Sequence, residues 1–222
     1  MKIDIKKLPA EISLLRHGEC EVDFSKQNRK LKLSALGIEQ AILARENIRR
    51  LVGNMATRYD ILLTSPYERA IQTAETICEA GEWVVDDRLS ERDWGLYGAL
   101  NFTDRDRVFP FVKDNLQIDY YGYRLPGGEN TEDVQKRQVD VVEHLNRLGA
   151  KTVFMSTHGG FMRAFQHLVE DLPINIDASS TIPADIRPCT LVTYRKDNLT
   201  LKKKVVNLTE ENADSVKWIT VL

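Results

Sequence analysis

The sequence predicts an α/β sandwich built on a mostly parallel central sheet of about six strands, with amphipathic helices packed against it. Short apolar runs of the kind that form central strands alternate with segments of helical period along most of the chain. With 222 residues, 42% of them hydrophobic, and no internal repeat, the chain can bury one sizeable core, and a single domain over 1–222 with an insertion is expected.

The elements follow in order. "EISLLR" (11–16) is the first strand candidate. In "LSALGIEQAILARENIRRLVGN", Ser34 can cap a helix, Ala41, Ala44, Ile48 and Leu51 mark one face, and Gly53 with Asn54 supplies a stop. "DILLT" (60–64) is the next strand. After it, Ser65 as N-cap, Pro66 at the first helical position and Glu68 in a capping box predict a helix from about Pro66 to Glu79. "WVVDD" (83–87), "KTVFMST" (151–157), "CTLVTYR" (189–195) and "LKKKVVNL" (201–208) complete the strands. Helices are expected over about Thr131–Leu148, with Val134, Val141, Leu145 and Leu148 in one stripe, and over about Gly160–Glu170. The stretch 96–128, with "DRDR", several aromatics and "PGGE", breaks the alternation and reads as an irregular or partly helical insertion.

Composition removes several function classes. Thirty-one Lys plus Arg against 33 Asp plus Glu leave a formal net charge of -2, so no general footprint for nucleic acid or an anionic membrane exists. An anionic ligand would need a local cluster of cations. Cys20, Cys78 and Cys189 are odd in number and widely spaced, which indicates neither a disulfide framework nor a zinc knuckle and fits a reducing cytoplasm. The N-terminus lacks a continuous apolar stretch of signal-peptide type, and no segment reaches the roughly 18 apolar residues of a membrane span, so a soluble cytoplasmic protein is expected.

In open α/β sheets, ligands gather outside the carboxyl ends of the strands. Four polar groups stand at such ends: Arg16-His17-Gly18-Glu19, Ser65 with Arg69, Glu91 in "RLSERDWG", and Thr157-His158-Gly159-Gly160. Their chemistry fits a phosphate monoester. Planar guanidinium groups hold phosphate oxygens through paired charge-assisted bonds, and Arg16 and Arg69 are candidates for that clamp. Arg69 also falls in a helix first turn, where free N–H groups favour an anion. A neutral imidazole is a competent nucleophile towards phosphorus, and His17 is the natural choice, with the Gly18 carbonyl free to fix its tautomer. His158 can add a hydrogen bond or charge to the transition state, while Gly159 allows close backbone approach to the phosphate. A carboxyl group must protonate the leaving alkoxide and later activate water; Glu91 is the first candidate and Asp93 the second. The scheme requires no metal and no cofactor, and the sequence lacks HExxH or a Cys/His cluster.

Five motifs in order, "LLRHGE", "SPYERAIQTAE", "RLSERDWG", "PGGEN" and "STHGG", resemble those of the histidine phosphatase superfamily, also called phosphoglycerate-mutase-like proteins. The similarity runs from about Ile12 to Gly160, with "LKLSALGIEQA" similar to the family's first-helix entry. The resemblance implies a three-layer α/β/α fold, a phosphohistidine on His17, a phosphate pocket of Arg16, Arg69 and His158, and Glu91 as proton donor without a metal. Many members carry an asparagine four residues after the glutamate of RHGE; Asp23 stands there, which leaves that phosphate contact open. Glycolytic mutases resembling this chain are expected to be longer, with a continuation absent from "CEVDFSKQNRK", so hydrolysis of a small phosphorylated metabolite ranks above mutase activity and above a non-catalytic phosphate-binding module.

Plainer roles are expected for other residues. Ser65 reads as a helix cap, His144 and His167 as helix residues, Cys20 as incidental, and the three lysines of "LKKKVVNL" as a solvated or edge-blunting face without a partner. Tyr120, Tyr121, Tyr123 and Arg124 are candidates for the substrate mouth or for packing. The oligomeric state is open, a homodimer included.

Overall fold

A computed structural model describes residues 2–21, 29–172, 186–198, 200–210 and 217–222, with the side chain of Phe102 excepted. Seven strands form one sheet: β1 (Glu11–Arg16), β2 (Ile61–Thr64), β3 (Trp83–Val85), β4 (Thr152–Thr157), β5 (Thr190–Asp197), β6 (Thr200–Asn207) and β7 (Ile219–Thr220). Their order is β3-β2-β4-β1-β5-β6-β7. The first four of that order pair in parallel, and β5, β6 and β7 extend the sheet antiparallel. The expected parallel core is therefore present, with an antiparallel flank and a seventh strand of two residues that is too short to leave a periodic signal.

Alternation of side chains along the strands builds three layers. Ile12 and Leu14 of β1 join Val153 and Met155 of β4 under α7 (Thr131–Arg147) and α8 (Gly159–Val169). Leu15, Leu62 and Phe154 face the other way, under α1 (Ala35–Val52), α2 (Met55–Arg58) and α3 (Glu68–Ile77). Both clusters are closed to water, and each fully buried Leu or Phe contributes roughly 1.5–3 kcal/mol.

The boundaries of α1 follow the sequence, with Ser34 accepting from the Gly37 N–H. The start of α7 rests on a capping box in which Asn130 and Asp133 each accept the other's backbone N–H. The stretch 96–128 is helical over much of its length, through the end of α4 (Gly95–Ala99), α5 (Phe102–Val108) and α6 (Pro110–Ile118). It builds a satellite core of Tyr97, Val112 and Leu125, against which Tyr123 packs. Among the described residues no helix is long and apolar enough to cross a membrane.

Two expectations are corrected. The helix after β2 begins at Glu68, two residues later than predicted, because the Ser65 hydroxyl bonds elsewhere and Tyr67 occupies the cap position without a side-chain bond. The lysines of β6 do not share a solvated face: β7 pairs with the strand's edge at Lys202 and Lys203, and Lys203 is buried at 7% exposure. Its ammonium donates to both oxygens of Glu170 at 2.7 Å, and the Tyr194 hydroxyl donates to the same carboxylate.

Replacing Lys203 by Met leaves Glu170 as a buried, half-paired anion and is expected to cost about 3–5 kcal/mol of stability. Adding Glu170→Gln is expected to recover part of that loss. Urea unfolding of the single and double variants checks both, and equal midpoints for wild type and Lys203→Met would refute the coupling.

Candidate active site

β1 and β4 are parallel neighbours in a register that pairs Arg16 with Thr157, so His17 and His158 are each the first residue beyond the paired strands. Their rings meet edge-on with centroids 5.0 Å apart. Hydrogen bonding of the His17 N–H to the Thr157 carbonyl at 3.0 Å fixes this alignment.

His17 is 5% exposed, and its Nδ1 lies 2.6 Å from the Gly18 carbonyl oxygen. Its Nε2 accepts from Nε of Arg69 at 3.1 Å. A ring nitrogen that accepts from a guanidinium carries no proton, so neutral His17 bears its proton on Nδ1 and donates it to Gly18. The carbonyl role expected of Gly18 is thus observed. A Cβ there would lie 2.6 Å from the Gly37 carbonyl oxygen, so only glycine lets β1 leave the sheet against α1. Burial first, and the charges of Arg69 and Arg16 second, hold the His17 imidazole well below its ordinary pKa of 6.5, against the opposing pull of the Gly18 bond.

His158 is fully buried, and its Nε2 shares a 2.7 Å hydrogen bond with the Ser65 hydroxyl. That hydroxyl also accepts from the Tyr67 N–H, which is why it does not cap α3 from the expected position. Burial, then His17 and the neighbouring arginines, keep the His158 imidazole neutral too. Its Nδ1 is buried without a hydrogen-bond partner among the described residues.

Arg69 lies in the first turn of α3, buried, with its guanidinium 4.7 Å from the Tyr67 ring centroid. Arg16 ends β1 and donates from Nη1 to the Ile186 carbonyl at 2.6 Å, while its Nε is buried with no hydrogen-bond partner among the described residues. Burial lowers the pKa of both groups, although a guanidinium keeps its charge.

Glu91 follows a short turn after β3, and its Oε1 accepts from the Arg92 N–H at 2.9 Å and its Oε2 from the Gly160 N–H at 3.3 Å. Arg137 of α7 holds this loop by donating to the carbonyls of Arg88 and Glu91 while pairing with Glu129, whose other oxygen takes the Asp93 N–H. Arg92 reaches the opposite way, into the backbone carbonyls of Tyr120, Tyr123 and Glu129.

Arg16, His17, Arg69, Glu91 and Gly159 all line one cleft of about 400 Å³, closed on the far side by Tyr120, Tyr121 and Trp94. A second concavity of about 430 Å³ is walled by Asp60, Glu82 and Asp86 without any Lys or Arg, a potential that repels phosphate. Among the described residues no group of three or more His, Cys, Asp or Glu side chains could hold a metal ion.

Several expected residues fall elsewhere. Asp23 lies outside the described residues. Asp93 is exposed, and its carboxylate accepts from the Gly95 N–H, so it is a turn residue outside the cleft. Tyr123 packs in the satellite core, and Arg124 pairs with Asp133 away from the mouth. Cys20, expected to be incidental, does line the cleft. Sequence reasoning missed Arg163, Arg92, Arg137 and Glu129. Of these, only Arg163 left a local signal, since it stands four residues after Gly159 on the same helix face.

The chain is 28% identical over 204 residues to a 2,3-bisphosphoglycerate-dependent phosphoglycerate mutase of Methylorubrum populi, covering 87% of this chain and 93% of the mutase. That mutase is no longer than this chain, so chain length does not separate mutases from phosphatases as expected. A mycobacterial glucosyl-3-phosphoglycerate phosphatase shares the fold at a TM-score of 0.69, with 20% identity and coverage of 95% of this chain and 96% of that one. A phosphoserine phosphatase of Entamoeba histolytica, solved with 3-phosphoglyceric acid, does so at a TM-score of 0.61, with 19% identity and coverage of 83% and 89%. The family model of the histidine phosphatase superfamily (branch 1) matches residues 12–206, the span that holds every motif of the cleft, and the chain belongs to that superfamily.

Proposed function

We propose that the chain is a metal-independent phosphomonoester hydrolase acting on a small phosphorylated metabolite through a phosphohistidine on His17. One observation carries this reading: a buried, neutral imidazole turns its unprotonated Nε2 to the Arg69 guanidinium in an open cleft that Arg16 also lines. When a phosphate dianion enters, the Arg69 N–H moves from Nε2 to a phosphoryl oxygen, and Arg16 Nε takes another. The Nε2 lone pair attacks phosphorus, the P–O bond breaks, and its electron pair stays on the ester oxygen, which receives a proton from Glu91. Glu91 then takes a proton from water; the resulting hydroxide attacks phosphorus, and the N–P electron pair returns to Nε2. With its Nε2 committed to Ser65, His158 offers Nδ1 to the equatorial oxygens. By their names the relatives act on phosphoglycerate, glucosyl-3-phosphoglycerate and phosphoserine, all small phosphomonoesters, which supports the substrate class.

The match to the Methylorubrum enzyme favours a second reading, a mutase that returns the phosphoryl group to a sugar-acid acceptor. Incubation with phosphoglycerate, with and without a bisphosphorylated activator, separates the two: free phosphate is expected, and isomer formation without phosphate release would favour the mutase.

His17→Ala is expected to lower aryl phosphate hydrolysis by about 10³-fold or more. In the same assay Glu91→Gln is expected to slow alkyl phosphates by about 10²–10⁴-fold, and aryl phosphates less, because a good leaving group needs no proton. Full activity in His17→Ala would sink the reading. The free enzyme carries a further prediction. A lowered pKa means that the native imidazole releases its proton at lower pH than a free one, so His17 stays neutral as pH falls through 6.5. NMR titration of its ring carbons is expected to show a midpoint below 6.5, and a midpoint at or above it would refute the buried, cation-flanked state.

A further inference from the structure

Beyond the groups around His17, the cleft holds a guanidinium that forms no ion pair among the described residues. Arg163 lies one turn into α8 and lines the cleft beside Tyr120 and Tyr121. Among the described residues no carboxylate or carbonyl takes a hydrogen bond from it. A Cβ on Gly159 would stand 3.3 Å from Nη1 of Arg163 and 3.5 Å from Nε of Arg16. The two nitrogens are therefore no farther apart than those lengths laid end to end, and they share the space above that glycine. The field of Arg163 reaches Arg16 and Tyr121, whereas the cations bearing on His17 are Arg69 and Arg16. Arg163 thus shares the Tyr120 and Tyr121 part of the cleft lining and bears on Arg16.

Glu91 offsets part of the charge of Arg16, but two guanidiniums this close still repel each other, and negative charge placed in the space between them relieves that repulsion. The transferring phosphoryl group already has Arg16 and Arg69. A second dianion would need more than one further cation, and Arg92, the other guanidinium on that wall, is committed to three backbone carbonyls. A single negative charge with planar geometry matches one guanidinium fork. We propose that Arg163 receives a carboxylate of the substrate, so that the preferred ligand is a phosphorylated carboxylic acid with the two anionic groups a few bonds apart. The inference rests on the phosphomonoester reading of the cleft.

3-Phosphoglycerate and glycerol 3-phosphate form a matched pair that differ by a carboxylate in place of a hydroxymethyl group. Each is measured as a competitor of aryl phosphate hydrolysis, which reads binding whether or not it is itself turned over. Wild type is expected to favour the acid by about 10- to 100-fold, and Arg163→Met to collapse that ratio towards one. Arg163→Lys, which keeps the charge but not the fork, is expected to retain part of it, and thermal melting of both variants separates lost binding from lost fold. No preference in wild type, or a preference that survives in Arg163→Met, would overturn the proposal; equal weakening of both compounds leaves the ratio intact and counts against it. If aryl phosphate is not hydrolysed at all, the phosphatase reading fails instead, and calorimetric titration of the same pair still decides the role of Arg163.

Discussion

Positive charge gathered away from water is the constraint on which this molecule turns. Arg16, Arg69 and Arg92 are all weakened as bases by burial, with the Glu91 carboxylate opposing that shift in each. Arg16 is held by a backbone carbonyl, Arg69 by an imidazole and a tyrosine ring, and Arg92 by three carbonyls. Carbonyls and rings take donors without cancelling charge, and Arg16 Nε is left without a partner among the described residues, so positive potential remains in the cleft. The ion pair of Arg137 with Glu129 lies behind the Glu91 loop, where it fixes backbone and leaves the cleft positive.

The sheet acts as the ruler for this arrangement. His17 and His158 come from strands far apart in sequence, and only the parallel register of β1 with β4 brings their rings together. A slip of one residue in either strand would turn one imidazole to the opposite face. The far end of β1 is fixed as firmly, since the buried Glu11 carboxylate is held by Arg58 from one side and Arg195 from the other. The strand that leads into His17 is thus tied at both ends by polar contacts and along its length by the two apolar layers.

Strands with apolar runs and helices with clear stripes were legible because burial on the sheet imposes a period that side chains must obey. That Arg16, His17, Arg69 and Glu91 would gather in one cleft was legible because the ends of buried strands are where polar groups need a reason to be. Contacts set by tertiary geometry left no such trace. Ser65 carried a convincing capping pattern, yet its hydroxyl went to His158, a partner 93 positions away. Lys203 sat in a run that looked solvated, yet its ammonium is buried on Glu170, a partner 33 positions away at the end of α8. Arg137 and Glu129 act through backbone carbonyls and amides of another loop, which no local spacing encodes.

The grip of Arg92 on the segment that walls the cleft has an evolutionary corollary. Its three acceptors are main-chain oxygens of Tyr120, Tyr123 and Glu129, atoms that every amino acid provides. Side chains on that wall can therefore be exchanged without loosening its attachment to the loop of Glu91. The wall and the strand ends are mechanically separate: a descendant of this chain could change side chains at Tyr120 or Tyr121 while His17 and His158 stayed where the strands hold them.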